Sequence, residues 1–257
     1  MTDPSARQRQ HFDAIATQYA EARSGANHLA FKELLWSEFL ADKRALFGGR
    51  PAVLEPMCGA ADGYDLLRHH LGIDIDYEGL DVSDAMIELA RAQHPDLKLS
   101  QADVTRLEPR GPYDVVLILG GLHHVPHAAS QVVTTLGKAL RPGGYFLSWE
   151  PTHGNRLFKA VREAIYKRNA IFEATTERAF EVRELFSMFE QAGFRRVDVL
   201  YPGLLGYVLY YNPDAFPSLN LGTPRMVSRL WKIERPFMRS WLARKLSFAT
   251  LSLWQRQ

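Results

Sequence analysis

A chain of 257 residues, 46% hydrophobic and 23% charged, is long enough to bury a sizeable core and has an ordinary globular composition. A formal net charge of +2 is too balanced to point to nucleic acid, and the one cysteine, Cys58, excludes an intrachain disulfide framework and fits a reducing compartment. The first residues carry no apolar leader and no run approaches the ~18 apolar residues of a membrane span, so the expected location is cytoplasmic.

Residues 1–48 read as a helical cap. Phe12, Ile15 and Tyr19 share a face at i, i+3 and i+7, and a second amphipathic stretch, Leu29–Phe47, stops at Gly48-Gly49. Over 50–150 short apolar strands alternate with helices. Val53–Met57 predicts a strand, with Tyr64–His70 in the helix after it. Tyr77–Leu80 predicts a second strand ending at Asp81. Ser83 can cap the next helix, whose Met86, Leu89 and Ala90 point inward. Lys98–Ala102 predicts a third strand. Asp114–Leu119 is almost wholly apolar, as a central strand buried on both faces should be. A helix over 128–140 closes at Arg141-Pro142-Gly143-Gly144, and Tyr145–Trp149 predicts a fifth strand.

Over 151–257 the rhythm changes. A basic helix spans 155–169, Val182–Ala192 is another helix, and Arg196–Tyr201 and Ser247–Gln255 are the last strands. Between those strands lies an insert holding Tyr207, Tyr210, Tyr211, Trp231, Phe237 and Trp241. The alternation predicts an α/β fold, a parallel sheet with helices on both faces, within a single domain. Ligands in such folds bind beyond the carboxyl ends of the strands.

Glu55-Pro-Met-Cys-Gly59-Ala-Ala-Asp62-Gly63 occupies one such end. Glycine lets a backbone approach a ligand closely, but the G-x-G-x-x-G dinucleotide pattern is absent. The carboxylates of Glu55 and Asp62 would repel a pyrophosphate; they suit a ligand carrying an ammonium and a sulfonium, such as S-adenosylmethionine. Asp81 follows Gly59 at the spacing of a ribose acceptor. Asp103 can accept from an adenine amino group, with Val104 and Met86 on either side of the ring.

Together these residues resemble the class I S-adenosylmethionine-dependent methyltransferases. The acidic glycine turn 55–63, Asp81, Asp103 and Tyr113-Asp-Val-Val116 carry the resemblance. Leu122-His-His-Val125, Leu140-Arg-Pro-Gly-Gly144 and Phe12-Asp-x-x-Ala-x-x-Tyr19 resemble the ubiquinone/menaquinone-biosynthesis-like branch, in which the aromatic residues close over the cofactor. The resemblance implies a Rossmann-like doubly wound sheet of seven strands, the last antiparallel, and a cofactor site of Phe12, Tyr19, Glu55, Gly59, Asp81, Val82, Met86, Asp103, Val104, Leu119 and Gly120. Met57 and Ala61 stand where the family often has glycine, leaving Gly59 as the expected point of close approach.

His124 and His153 are the candidate general bases, at the ends of the fourth and fifth strands. His123, Glu150, Asn155, Tyr207 and Tyr211 are candidate substrate contacts; no metal is required. The expected acceptor is a partly apolar small molecule methylated on oxygen, with carbon methylation and a cofactor-binding scaffold as alternatives. Nucleic acid is not expected as a partner, and the chain reads as a monomer or homodimer. Residues 225–245 interleave seven basic residues with Trp231, Phe237 and Trp241, and either cover the site or meet anionic lipid.

Overall fold

A computed structural model describes residues 3–108, 110–168, 176–212 and 217–257. Strands β1 (Ala52–Pro56), β2 (Asp76–Asp81), β3 (Lys98–Gln101), β4 (Tyr113–Leu119) and β5 (Leu140–His153) run parallel. β6 (Phe180–Glu181) adds a two-residue ladder to the end of β5. β7 (Phe194–Leu200) and β8 (Ala249–Arg256) complete the order β3-β2-β1-β4-β5-β8-β7, with β8 antiparallel to both its neighbours. The sheet is therefore the expected one, with β6 as an eighth, marginal strand.

Helices α1 (Pro4–Arg23), α2 (Ala26–Leu40) and α3 (Arg44–Phe47) precede the sheet. Helices α4 (Asp62–Leu71), α5 (Asp84–Gln93), α6 (Ala129–Ala139), α7 (Arg156–Arg168) and α8 (Val182–Gln191) connect its strands. The insert supplies α9 (Leu205–Tyr210), α10 (Pro224–Glu234) and α11 (Trp241–Leu246), and Pro236 sits in the 3-10 turn that ends α10. α5 starts as read: the Ser83 hydroxyl accepts from Met86 N at 3.2 Å.

Strand periodicity sends alternate residues to opposite faces. In β4, Val115 and Leu117 enter a core with Phe31, Leu35, Trp36 and Phe39 of α2, while Val116 and Ile118 enter a second core with α6 and α8. Each of those α2 side chains, buried almost completely, contributes roughly 1.5–3 kcal/mol. β8 shows why the alternation at Leu251 and Leu253 understated its burial. Those residues face the first core, Thr250, Ser252 and Trp254 face the second, and all five are buried. Trp254 stacks on Phe189 and donates to Ser252 Oγ at 2.9 Å, so its buried indole N–H is satisfied internally.

Strand order reverses between β1 and β4, and this is where a doubly wound sheet opens a crevice at its carboxyl edge. α1 lies across that edge. Ser83 Oγ donates to Asp13 Oδ1 at 2.6 Å, tying α1 to the start of α5.

Candidate active site

Two cavities adjoin at this edge, of about 300 and 270 Å³. The first is lined by all the residues read as cofactor contacts: Phe12 and Tyr19 from α1, Glu55 and Gly59 after β1, Asp81, Val82 and Met86 after β2, Asp103 and Val104 after β3, Leu119 and Gly120 after β4. Phe12, Tyr19, Leu119, Gly120, His124 and Tyr211 also line the second cavity, so the two spaces meet over the end of β4.

The turn after β1 is held open by backbone geometry. Met57, Gly59 and Ala61 all adopt left-handed φ, 62°, 55° and 64°. Met57 and Ala61 thus take the conformation that glycine adopts without strain, at an energetic cost of about 1 kcal/mol each. A close approach within the protein itself falls at Gly63, where a Cβ would overlap the Glu55 carboxylate and Leu117. Gly63 was legible as part of the motif, but its contact with Glu55 was not.

Four carboxylates line the first cavity, and their environments differ. Glu55 is 1% exposed and accepts from the Tyr77 hydroxyl at 2.5 Å. Burial pushes its carboxyl up to about 8, against the pull of that hydrogen bond. Asp81 is also raised by burial, an effect moderated because it accepts from Ser83 N and Gly59 N, each at 2.9 Å. Burial would raise Asp62 too, but Lys32, 2.6 Å away, holds it below its ordinary value. Asp103 is committed on one oxygen, which accepts from Thr105 N and Oγ1 at 2.9 and 2.7 Å.

His124 stands where the cavities meet, its ring edge-on to Phe12 at 5.0 Å. Its Nδ1 lies 3.2 Å from Glu177 Oε1. Burial would lower the imidazole, but Glu177 outweighs it and raises the pKa. His123 lies beside it, the rings tilted by 38° with centroids 3.9 Å apart and Nδ1 3.1 Å from Glu150; burial and its neighbour's charge lower it. The two adjacent histidines are thereby driven toward opposite protonation states. Glu177 belongs to no local motif, and nothing in the surrounding sequence marks it. His123, His124 and Glu177 also offer ligand atoms within 4.8 Å of one another, a set able to take a divalent cation.

The second cavity is rich in aromatic side chains, with Trp149, Tyr166, Tyr207, Tyr211 and Phe248 in its wall beside His123. Arg162, buried and unanticipated, donates to Thr152 O at 3.4 Å and to Phe248 O, joining the end of β5 to the start of β8.

Three expectations fail. His153 does not line either large cavity; pairing of β5 with β6 carries it behind the wall, into a cavity of about 90 Å³ beside Lys159 and Arg162. Glu150 is fully buried and accepts from the backbone N–H groups of Gly121, Leu122 and His123 at 3.1, 2.8 and 3.2 Å. It orders the turn that carries the histidines and does not face the acceptor space. Asn155 caps α7, accepting from Phe158 N at 2.9 Å and donating to Lys245 O at 2.6 Å.

Residues 53–144 match the sequence profile of a family described as a methyltransferase domain. Over that stretch the chain is similar to methyltransferase domains, and the sheet around it has the fold of solved methyltransferases. The matched residues run from β1 into β5 and include Glu55, Asp81, Asp103, His123 and His124. Trans-aconitate 2-methyltransferase of Methylobacterium nodulans is 39% identical over 66 residues, 26% of this chain and 25% of that protein. The chain thus spans about a quarter of that curated relative. An S-adenosylmethionine-dependent methyltransferase from Mesorhizobium loti is 18% identical with a TM-score of 0.54, over 86% of this chain and 98% of its own. The [4+2]-cyclase SpnF is 14% identical with a TM-score of 0.64, over 98% of this chain and 96% of its own. Both are likenesses of fold. The methyltransferase-domain family implies use of S-adenosylmethionine; its branch nearest quinone biosynthesis rests on the residues named above alone.

Proposed function

We propose that the chain binds S-adenosylmethionine in the first cavity and methylates an oxygen of a small, partly apolar acceptor in the second. The observation that carries this is the meeting of a carboxylate-lined and an aromatic-lined cavity at His124.

The residues present fit the cofactor. Asp81 keeps lone pairs free beyond its two backbone bonds and can accept from ribose hydroxyls. Glu55, buried without a cation of its own within ion-pair distance among the described residues, suits an ammonium group. When bound, the cofactor supplies a methyl on positively charged sulfur, and the carbon–sulfur bonding pair stays with sulfur.

His124 accepts the proton of the acceptor hydroxyl as the new oxygen–carbon bond forms. Glu177 holds the imidazole in place and stabilises the charge it gains. Phe12, Tyr19 and Tyr211 enclose the junction and exclude water. A second reading is cofactor binding without methyl transfer; the fold alone does not choose between them, since a protein named a [4+2]-cyclase shares it.

Calorimetric titration with S-adenosylmethionine and S-adenosylhomocysteine tests the first step. Wild type binds both, and Asp81→Ala loses at least tenfold in affinity, the order expected when charge-assisted hydrogen bonds are lost. No binding by wild type overturns the reading. Transfer of labelled methyl from cofactor to an added acceptor separates turnover from binding alone.

A further inference from the structure

The segment 225–245 does not act as one piece. Trp231 is buried, edge-on to Phe31 of α2 at 5.8 Å, so it is part of the core and not available to a partner. Trp241, ten residues on, is 74% exposed. Around it the chain leaves Ile233, Phe237, Leu242 and Leu246 in solvent, at 67, 51, 43 and 36%. On α10 Met226 is likewise exposed at 50%, so 226 and 233, two turns apart, share an outward face that Phe237 extends.

The surface reaches the acceptor cavity. Asn155 donates to Lys245 O, and Phe158 stacks on Phe248 at 4.5 Å, so the end of α11 abuts the start of α7. There Leu157 is 69% exposed, and one turn on Val161 lines the second cavity.

Charge decides what covers this surface. Of the seven basic residues over 225–245, Arg235 pairs with Glu38 and Arg239 with Asp198. Arg225, Arg229, Lys232, Arg244 and Lys245 have no acidic partner among the described residues. The one acid of the segment, Glu234, is buried, accepting from Gly206 N at 3.0 Å and from Leu205 N. A second copy docked through this face would bring those cations against each other. A surface that is both apolar and cationic matches the boundary of an anionic bilayer, where aromatic rings and long basic side chains are favoured.

We propose that α10, α11 and the start of α7 dock on an anionic membrane surface, placing the mouth of the second cavity at the lipid boundary. The docking stands without the methyl-transfer reading; the corollary that the acceptor is lipophilic rests on it.

The test is co-sedimentation of the full chain with vesicles of phosphatidylcholine alone or mixed with phosphatidylglycerol, for wild type and Phe237→Ser/Trp241→Ser. Both side chains are exposed, so the variant should fold, and titration with S-adenosylhomocysteine reports that independently of vesicles. Wild type is expected to sediment with the anionic vesicles, to lose binding as salt rises, and to bind at least about tenfold more tightly than the variant. Equal binding to both vesicle types, no binding to either, or unchanged binding by the variant would each overturn the proposal. So would self-association of wild type in sedimentation velocity that the variant abolishes, because the face would then belong to a second copy. Failure of vesicle binding with intact titration leaves the cofactor reading standing; loss of the titration in wild type removes that reading and not the docking.

Discussion

Glu55→Gln isolates a carboxyl that burial raises far above its ordinary value. Gln is the same size, and its amide oxygen still accepts the Tyr77 hydroxyl, so the substitution removes titration and charge with little change in packing. With the folded value near 8 and an ordinary value of 4.5, Glu55 is protonated in the folded protein at pH values where it is ionised in the unfolded chain. A raised carboxyl gives stability that is fully present below its unfolded value and lost as pH rises through the folded one. Between pH 6 and 8 that loss is about 2 kcal/mol. Urea midpoints of the ligand-free protein should therefore fall with pH more steeply in wild type than in Glu55→Gln, because every other titrating group is common to both. A ligand that sets an ammonium group against Glu55 reverses the sign. Only about 1% of Glu55 is ionised at pH 6 and about half at pH 8, so affinity for S-adenosylhomocysteine should rise up to about fiftyfold over that range in wild type. In Glu55→Gln it should be lower and nearly flat. Parallel stability profiles for the two proteins would refute the burial argument, and parallel affinity profiles would refute a role for Glu55 toward the ammonium.

Glu177→Gln should move the acid limb of the pH–rate profile to lower pH, because the charge that raises His124 is gone, and should lower kcat by tenfold or more; an unmoved limb would mean that His124 is not the titrating base. Gly63→Ala should lower stability by about 1–3 kcal/mol in urea melts, since the methyl must displace Glu55 or Leu117, and an unchanged midpoint would contradict the packing. Asp13→Ala releases α1 from Ser83 and should weaken S-adenosylhomocysteine binding severalfold in calorimetry, from about 1 kcal/mol of lost hydrogen bonding; unchanged affinity would show that α1 does not hold the site closed.

The parts legible in sequence were those where one strand and its own exit turn carry the signal. β4 is a continuous apolar run because both its faces are buried, and Asp81 and Asp103 could be placed because a parallel strand delivers its carboxyl end to one edge. Contacts between distant segments were not legible. Glu177 meets His124, Asp13 meets Ser83 and Arg162 meets Phe248 across 53, 70 and 86 positions, with no periodicity to announce them. Trp231 and Trp241 look alike in a basic, aromatic stretch, and only the packing of α10 on α2 separates a core residue from a solvent-facing one. His153 was misplaced for a related reason. Two residues of β6 pair with the end of β5, and that short ladder settles which side of the wall the imidazole occupies.

The same carboxylates that select a ligand make the ligand-free site the costly part of the fold. Glu55, Asp62 and Asp81 share one cavity, and of these three, among the described residues, Asp62 has an ion-pair partner, Lys32. Each added negative charge would deepen the mutual repulsion, and the more so as Glu55 ionises toward pH 8. A ligand bearing positive charge relieves it. At a hundred times its dissociation constant such a ligand stabilises the folded state by about 2.7 kcal/mol, the same order as the stability lost through Glu55 between pH 6 and 8. Ligand-induced stabilisation of the wild-type protein should therefore grow with pH across that window, as a direct consequence of a carboxyl that the fold buries and a cation repays.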